Sequence, residues 1–167
     1  MPTPTIQLND DTRILISACL LGIPCQYDGQ PAKRQLHPSI QAAIQSQIIP
    51  VCPEQLSGLP TPRQPVEIID GDGGDVLRGQ ACVCSQDGHD YTAIFRRGAE
   101  ITLQLARLTG ASAIITQKRS PSCSSAGIYD GTFSHTLHDG HGVCAALLYA
   151  HSIQLWDVDD FEAALDW

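Results

Sequence analysis

The chain has 167 residues, 43% of them hydrophobic and 17% charged, a composition that reads as a soluble globular chain of one domain over residues 1–167. Ten Lys and Arg against eighteen Asp and Glu leave a formal charge of −8, which argues against gripping nucleic acid through its phosphates and leaves small ligands open. No apolar run nears the roughly 18 residues of a membrane span, and Met1 to Asp11 lacks the basic start and apolar core of a secretory leader, so no membrane contact and a cytoplasmic location are expected.

Arg13 to Ala18 is a short apolar, partly β-branched run that reads as a buried strand ending at Cys19. After a loop bearing Gly22, Pro24 and Gly29, His37 to Gln47 has helical spacing, with Pro38 suited to a first turn. Ile48 to Val51 is a second strand, ending at Cys52. A Pro- and Gly-rich loop follows, and Val66–Ile69 with Val76–Cys84 read as extended pieces around a turn at Asp70 to Asp75, a small hairpin-like insertion. Thr92 to Thr109 is a helix with Ile94, Gly98, Ile101, Leu105 and Leu108 on its inward face and Gly110 at the C-terminal cap. Ala113 to Thr116 is a third strand, whose loop carries Cys123. A helix from about Gly142 to His151, turning Val143, Ala146, Leu147 and Ala150 inward, and a strand from Ile153 to Val158 complete the pattern. This alternation predicts an α/β fold, an open parallel sheet covered by helices on both faces in Rossmann-like fashion.

A chain of this length buries roughly 70% of its unfolded surface and needs no metal or disulfide staple, so a bound cofactor is expected to serve chemistry. Seven cysteines, an odd number, do not describe a disulfide framework in a reducing compartment. Paired C-x-x-C knuckles are absent, and His135, His138 and His141 recur among glycines, a pattern that reads as a solvated turn rather than a zinc site. Cys19, Cys52 and Cys123 each follow a different predicted strand, and in open α/β sheets ligands sit beyond the carboxyl ends of strands. Three thiolates on one rim make a cup for one metal centre and leave a coordination position open to substrate. Cys25 shares the first loop and is an alternative to Cys19, whereas Cys82, Cys84 and Cys144 read as ordinary small buried residues. Glu54 lies two residues past Cys52. Lys118 and Arg119 with Ser120, Ser122, Ser124 and Ser125 crowd cations and hydroxyls around Cys123, where charge would offset a thiolate centre or the loop would cradle an anion. Arg63 and Glu67 read either as ligand contacts or as an ion pair.

Ser17-Ala18-Cys19-Leu20-Leu21-Gly22 with Tyr27-Asp28-Gly29, Pro50-Val51-Cys52-Pro53-Glu54 with Gly58-Leu59-Pro60-Thr61-Pro62-Arg63, and Lys118 with Ser120-Pro121-Ser122-Cys123 and Ile128-Tyr129-Asp130-Gly131 together resemble the single-domain 2-thiouracil desulfidase family, from about Leu15 to Leu148. The resemblance implies a [4Fe-4S] cluster held by Cys19, Cys52 and Cys123, with one iron free to take the sulfur of a thiolated pyrimidine and act as a Lewis acid. It also implies Glu54 as the base for an attacking water and Ser120 as a proton relay or holder of the substrate. Two positions depart from the family pattern. Ser124 stands where glycine is expected, implying an altered pocket, and Cys144 where threonine is more usual, implying altered helix packing. The competing readings are a non-enzymatic iron-sulfur carrier or redox-sensing module, and a phosphate-binding transferase built on the serine-rich loop.

Overall fold

The computed structural model describes residues 8–165, so most of the Met1–Asp11 stretch lies outside the described residues. Strand β1 (Ile14–Ser17), helix α1 (Pro38–Ile44) and strand β2 (Ile48–Val51) form the first crossover. A single helical turn, α2 (Pro53–Leu56), follows β2 directly. The insertion comprises β3 (Val66–Ile69), α3 (Gly73–Leu77) and β4 (Cys82–Ser85). Helix α4 (Thr92–Thr109) leads into β5 (Ala113–Thr116), and a short ladder of β6 (Ile128–Tyr129) and β7 (Leu137–His138) precedes α5 (Val143–Ala150), β8 (Gln154–Asp157) and α6 (Val158–Ala163).

The four parallel strands are ordered β2-β1-β5-β8. The chain leaves β1 toward β2 and then returns past β1 to β5, so the winding reverses between β1 and β5, the crevice where open α/β sheets place ligands. Alternation along β1 divides the core. Ile14 and Ile16 pack with Ile40, Ile44 and Phe161 from α1 and α6, while Leu15 packs with Phe95, Leu103 and Leu148 from α4 and α5, so helices cover both faces as expected.

Four expectations are corrected. Val76 and Leu77 are helical rather than extended, because the Asp72 carboxylate accepts from the Asp75 N–H while Asp75 accepts from the Asp72 N–H, a reciprocal cap that nucleates α3 and delays β4 to Cys82. The inward face of α4 is Phe95, Gly98, Ala99, Thr102, Leu103 and Ala106. Leu108 is 74% exposed, and the small residues let neighbouring helices approach closely. In α5 the buried set includes Cys144, Ala145 and Leu148 besides Val143 and Ala146, whereas Ala150 is exposed. The last strand stops at Asp157, whose carboxylate caps α6 by accepting from the Asp159 N–H at 2.9 Å. Among the described residues no helix is long and apolar enough to cross a membrane.

Candidate functional site

The carboxyl ends of β2, β1 and β5 lie side by side, and each leads to a cysteine. Cys19 is buried in a 3-10 turn, Ala18–Leu21, directly after β1. That turn ends at Gly22, whose φ of 84° and N–H bond to the Cys19 carbonyl require a residue without a side chain. Cys52 is the extended residue before α2, and Cys123 is buried in the loop after β5. Ser17, at the end of β1, accepts from the Gln117 N–H at 3.2 Å and opposes the rise that burial imposes on the Cys123 thiol.

Cys25 belongs to the same constellation. It is 2% exposed, and Cys19 and Cys52 act on its thiol in opposite directions, the first raising and the second lowering it. The Cys52 thiol also donates to the Cys25 carbonyl at 3.8 Å. The Cys19 contact is the main reason the Cys25 thiol is pushed up to about 11. Cys52 is raised as well, by its bond to Cys25 and by burial. Burial raises Cys123 and takes Cys144 to about 12. Crowded, buried thiols hold their protons, and a metal centre would replace those protons. Cys144, placed by the sequence only in a helix interior, neighbours Cys123, and Glu54 and Cys52 act on its thiol.

Glu54 projects from α2 into this group and is ion-paired with Arg63. Both side chains are nearly buried, at 13% and 7% exposure. Burial raises the Glu54 carboxyl above its ordinary range, and Arg63 opposes that rise. Arg63 also donates to the Cys25 carbonyl at 2.9 Å, and its backbone N–H binds the Tyr27 carbonyl at 2.7 Å. One guanidinium therefore ties the Cys25 loop to the carboxylate beside Cys52. Glu67 is not its partner. That carboxylate accepts from the Gly131 and Phe133 N–H groups and holds the β6–β7 turn against β3.

The serine-rich loop is built around Ser120, whose hydroxyl oxygen accepts from the Ser122 N–H at 3.2 Å and the Cys123 N–H at 3.0 Å. Its proton remains available for donation. Ser124 is buried and its hydroxyl closes the following turn by donating to the Gly127 carbonyl at 2.8 Å. Lys118 is drawn away from the thiols to Asp159 at 2.8 Å and Asp157 at 3.4 Å, and Arg119 is exposed with a φ of 70°. The cation beside the cysteines is thus Arg63, and the expected role of Lys118 and Arg119 in offsetting thiolate charge is not met.

Two close approaches fix these parts. A Cβ on Gly98 of α4 would stand 2.3 Å from the Pro53 carbonyl oxygen, and one on Gly142 would stand 2.5 Å from that of Ser122. Glycine at the first lets α2, with Cys52 and Glu54 at its start, lie on α4. At the second it seats the Cys123 loop on the start of α5. Two clefts of about 330 and 410 Å³ lie beside Ser125, Ala126 and His141, and no cysteine lines either one.

The three histidines expected in a turn are dispersed, with His135 edge-on to Tyr129 and His141 to Tyr149. Among the described residues no three His, Cys, Asp or Glu side chains are grouped so as to share one metal ion. A cluster differs from an ion in that each cysteine binds a different iron, so its thiols stand apart around a cage. Cysteines at three adjacent strand ends, with soft donors throughout, fit such a group.

The profile of the 2-thiouracil desulfurase family matches residues 14–160. An uncharacterized protein of Bacillus subtilis (strain 168), YbbK, is 45% identical over 136 residues, 81% of this chain and 88% of that protein. The solved structure of the [4Fe-4S]-dependent thiouracil desulfidase TudS is similar with a TM-score of 0.79 at 37% identity, covering 92% of this chain and 95% of that one.

Proposed function

This chain belongs to the 2-thiouracil desulfurase family, and we propose that it is a [4Fe-4S]-dependent desulfidase converting a small thiolated pyrimidine of the 2-thiouracil type, with water, to the oxo base and sulfide. The observation that carries this reading is the placement of Cys19, Cys52 and Cys123 after the adjacent ends of β1, β2 and β5, with a buried, Arg-paired carboxylate two residues past Cys52. Cys19, Cys52 and Cys123 would hold the cluster, a three-ligand set that leaves one iron without a protein donor. The cluster would supply a soft Lewis acid suited to a thione sulfur.

The remaining chemistry is assigned to the chain. Glu54 takes a proton from the attacking water at its carboxylate oxygen, and burial keeps that carboxylate basic. Arg63 holds the carboxylate in place and stays charged throughout. Ser120, with its oxygen occupied by two N–H donors, has its proton free to hold the base or return a proton to it. Carbon keeps its oxidation state, because one C=S bond is exchanged for C=O and the protons of water end on sulfide. The work is assigned to residues 1–167 as one domain in the cytoplasm, where the cysteines and the cluster stay reduced.

The test is iron binding under nitrogen. Reconstituted protein is expected to hold a [4Fe-4S] cluster, and Cys19→Ala, Cys52→Ala and Cys123→Ala are each expected to lose most of the iron. If Cys25→Ala loses the cluster while Cys19→Ala keeps it, the ligand assignment in the first loop is overturned.

A further inference from the structure

Two thiols outside this site remain unused. Cys82 and Cys84 lie two apart on β4, so they project from the same face of the strand, while Val83 and Ser85 between and after them are buried. Both are half-buried rather than sealed in the core. The Cys84 thiol donates to the Cys82 sulfur across 3.3 Å.

The backbone that carries them is held on both edges. Cys82 and Cys84 face Ile69 and Glu67 of β3 in register. On the other edge the Ser85 N–H binds the His89 carbonyl at 3.0 Å and the Tyr91 N–H binds that of Val83 at 2.7 Å. The Val83 N–H in turn binds the Thr92 hydroxyl at 2.9 Å. A strand clamped this way has little freedom to bend.

This decides between two fates for the pair. A direct disulfide needs its sulfurs at about 2.05 Å and its Cβ atoms about 3.8 Å apart. Alternate residues of a strand are roughly 6.6 Å apart at Cα, at the outer end of what a disulfide spans. Closing the bond would therefore pull against ladder bonds on both edges. A single atom between the sulfurs asks for less. Two thiolates each about 2.3 Å from one soft ion stand roughly 3.3 Å apart at a right angle and roughly 4.6 Å apart in a linear arrangement. The observed 3.3 Å matches the right-angle end of that interval, and rotation of the two side chains about their own bonds reaches the rest without movement of the strand.

We propose that Cys82 and Cys84 form a second, separate sulfur site that takes one thiophilic ion of low coordination number, a trivalent arsenical or monovalent copper. Two ligands are too few for zinc or ferrous iron, which complete four-coordinate thiolate sites, and thiolate softness excludes magnesium and calcium. With an organoarsenic oxide, both thiol protons leave with the oxide oxygen as one water, two As–S bonds replace the As=O bond, and no oxidation state changes. With cuprous ion, the two protons pass to solvent. Asp90, bridged to Cys84 across the strand edge, adds negative charge beside the pair.

The cluster-loaded protein is titrated under nitrogen with phenylarsine oxide and, separately, with cuprous ion held by a competing chelator. Intact mass, peptide mapping and the visible absorbance of the cluster are recorded. One adduct per chain on the peptide containing both cysteines, with cluster absorbance retained, is expected for at least one ion, and comparison of the two titrations identifies which. Cys82→Ser and Cys84→Ser should each weaken it roughly a hundredfold or more, the loss of the second, intramolecular ligand. Cluster absorbance in those variants reports that they are folded. Adduct formation that survives in the variants, adducts confined to cluster cysteines with release of iron, no adduct with either ion, or a wild-type chain two mass units light from a Cys82–Cys84 disulfide would each overturn the proposal.

Discussion

Replacing Gly98 by alanine separates helix propensity from the packing that seats α2. In an exposed helix interior this change is worth about 1 kcal/mol in favour of alanine. Here the added Cβ would sit 2.3 Å from the Pro53 carbonyl oxygen, more than an ångström inside ordinary contact, and the atom it meets is backbone. Overpacking of a close-packed contact costs about 1–3 kcal/mol, so the sign reverses and Gly98→Ala is expected to destabilise by up to about 2 kcal/mol. The larger effect falls on chemistry. Helix α2 is one turn long and begins beside Cys52, with Glu54 as its second residue, so relief of the clash moves both groups. A displacement of about 1 Å in a reacting constellation can cost about a hundredfold in rate. Thermal unfolding, iron per chain and kcat on 2-thiouracil are to be measured together. Gly110→Ala serves as the comparison, because its φ of 72° makes alanine cost about 1–2 kcal/mol far from α2. Gly98→Ala that is more stable than wild type, with unchanged kcat and iron, would refute the reasoning.

Other variants test individual groups. Glu54→Gln is expected to keep its iron and lower kcat by about a hundred- to ten-thousand-fold, with much less change in KM, as measured by steady-state turnover under nitrogen. Arg63→Met leaves Glu54 buried without its counter-charge, at a cost of about 3–5 kcal/mol near neutral pH. Because the Glu54 carboxyl is already raised by burial and Arg63 lowers it, the variant's folded state holds a proton that the unfolded state releases above its ordinary value of about 4.3. Denaturant midpoints of the variant should therefore fall, relative to wild type, as pH rises from about 5 to about 7.5. Ser120→Ala removes the acceptor for the Cys123 N–H and should cost about 1 kcal/mol, with Ser120→Thr restoring the stability in the same unfolding assay.

Strands β1, β2 and β5 were legible because each is a mostly apolar run of four residues. Ile48–Val51 and Ala113–Thr116 coincide with their expected bounds. Cys19, Cys52 and Cys123 could be grouped before their geometry was known, since parallel connectivity brings strand ends to one rim. The face of α4 was misjudged for a physical reason. Gly98 faces inward as expected, but leucines at 105 and 108 suggest an apolar stripe, whereas Gly98 is joined by Ala99 and Ala106, whose small size invites α2 and α5. The cap at Asp72 and Asp75 was readable in principle, but Val76 and Leu77 merged with the strand pattern that follows. The Glu54–Arg63 pair and the placement of Cys25 and Cys144 depend on how loops fold back on one another, which no local period records. The serines around Cys123 advertised a polar loop without showing that Ser120 supports the backbone or that Lys118 leaves for α6.

The central claim is tested most directly by anaerobic turnover of the cluster-loaded protein with 2-thiouracil, following uracil by chromatography and sulfide by trapping. The account predicts uracil and sulfide in equal amounts over many turnovers, with no added reductant and with the cluster retained. A fully loaded protein that releases neither product from 2-thiouracil, 4-thiouracil or their nucleosides, and instead passes its cluster to an apo-ferredoxin, would contradict it.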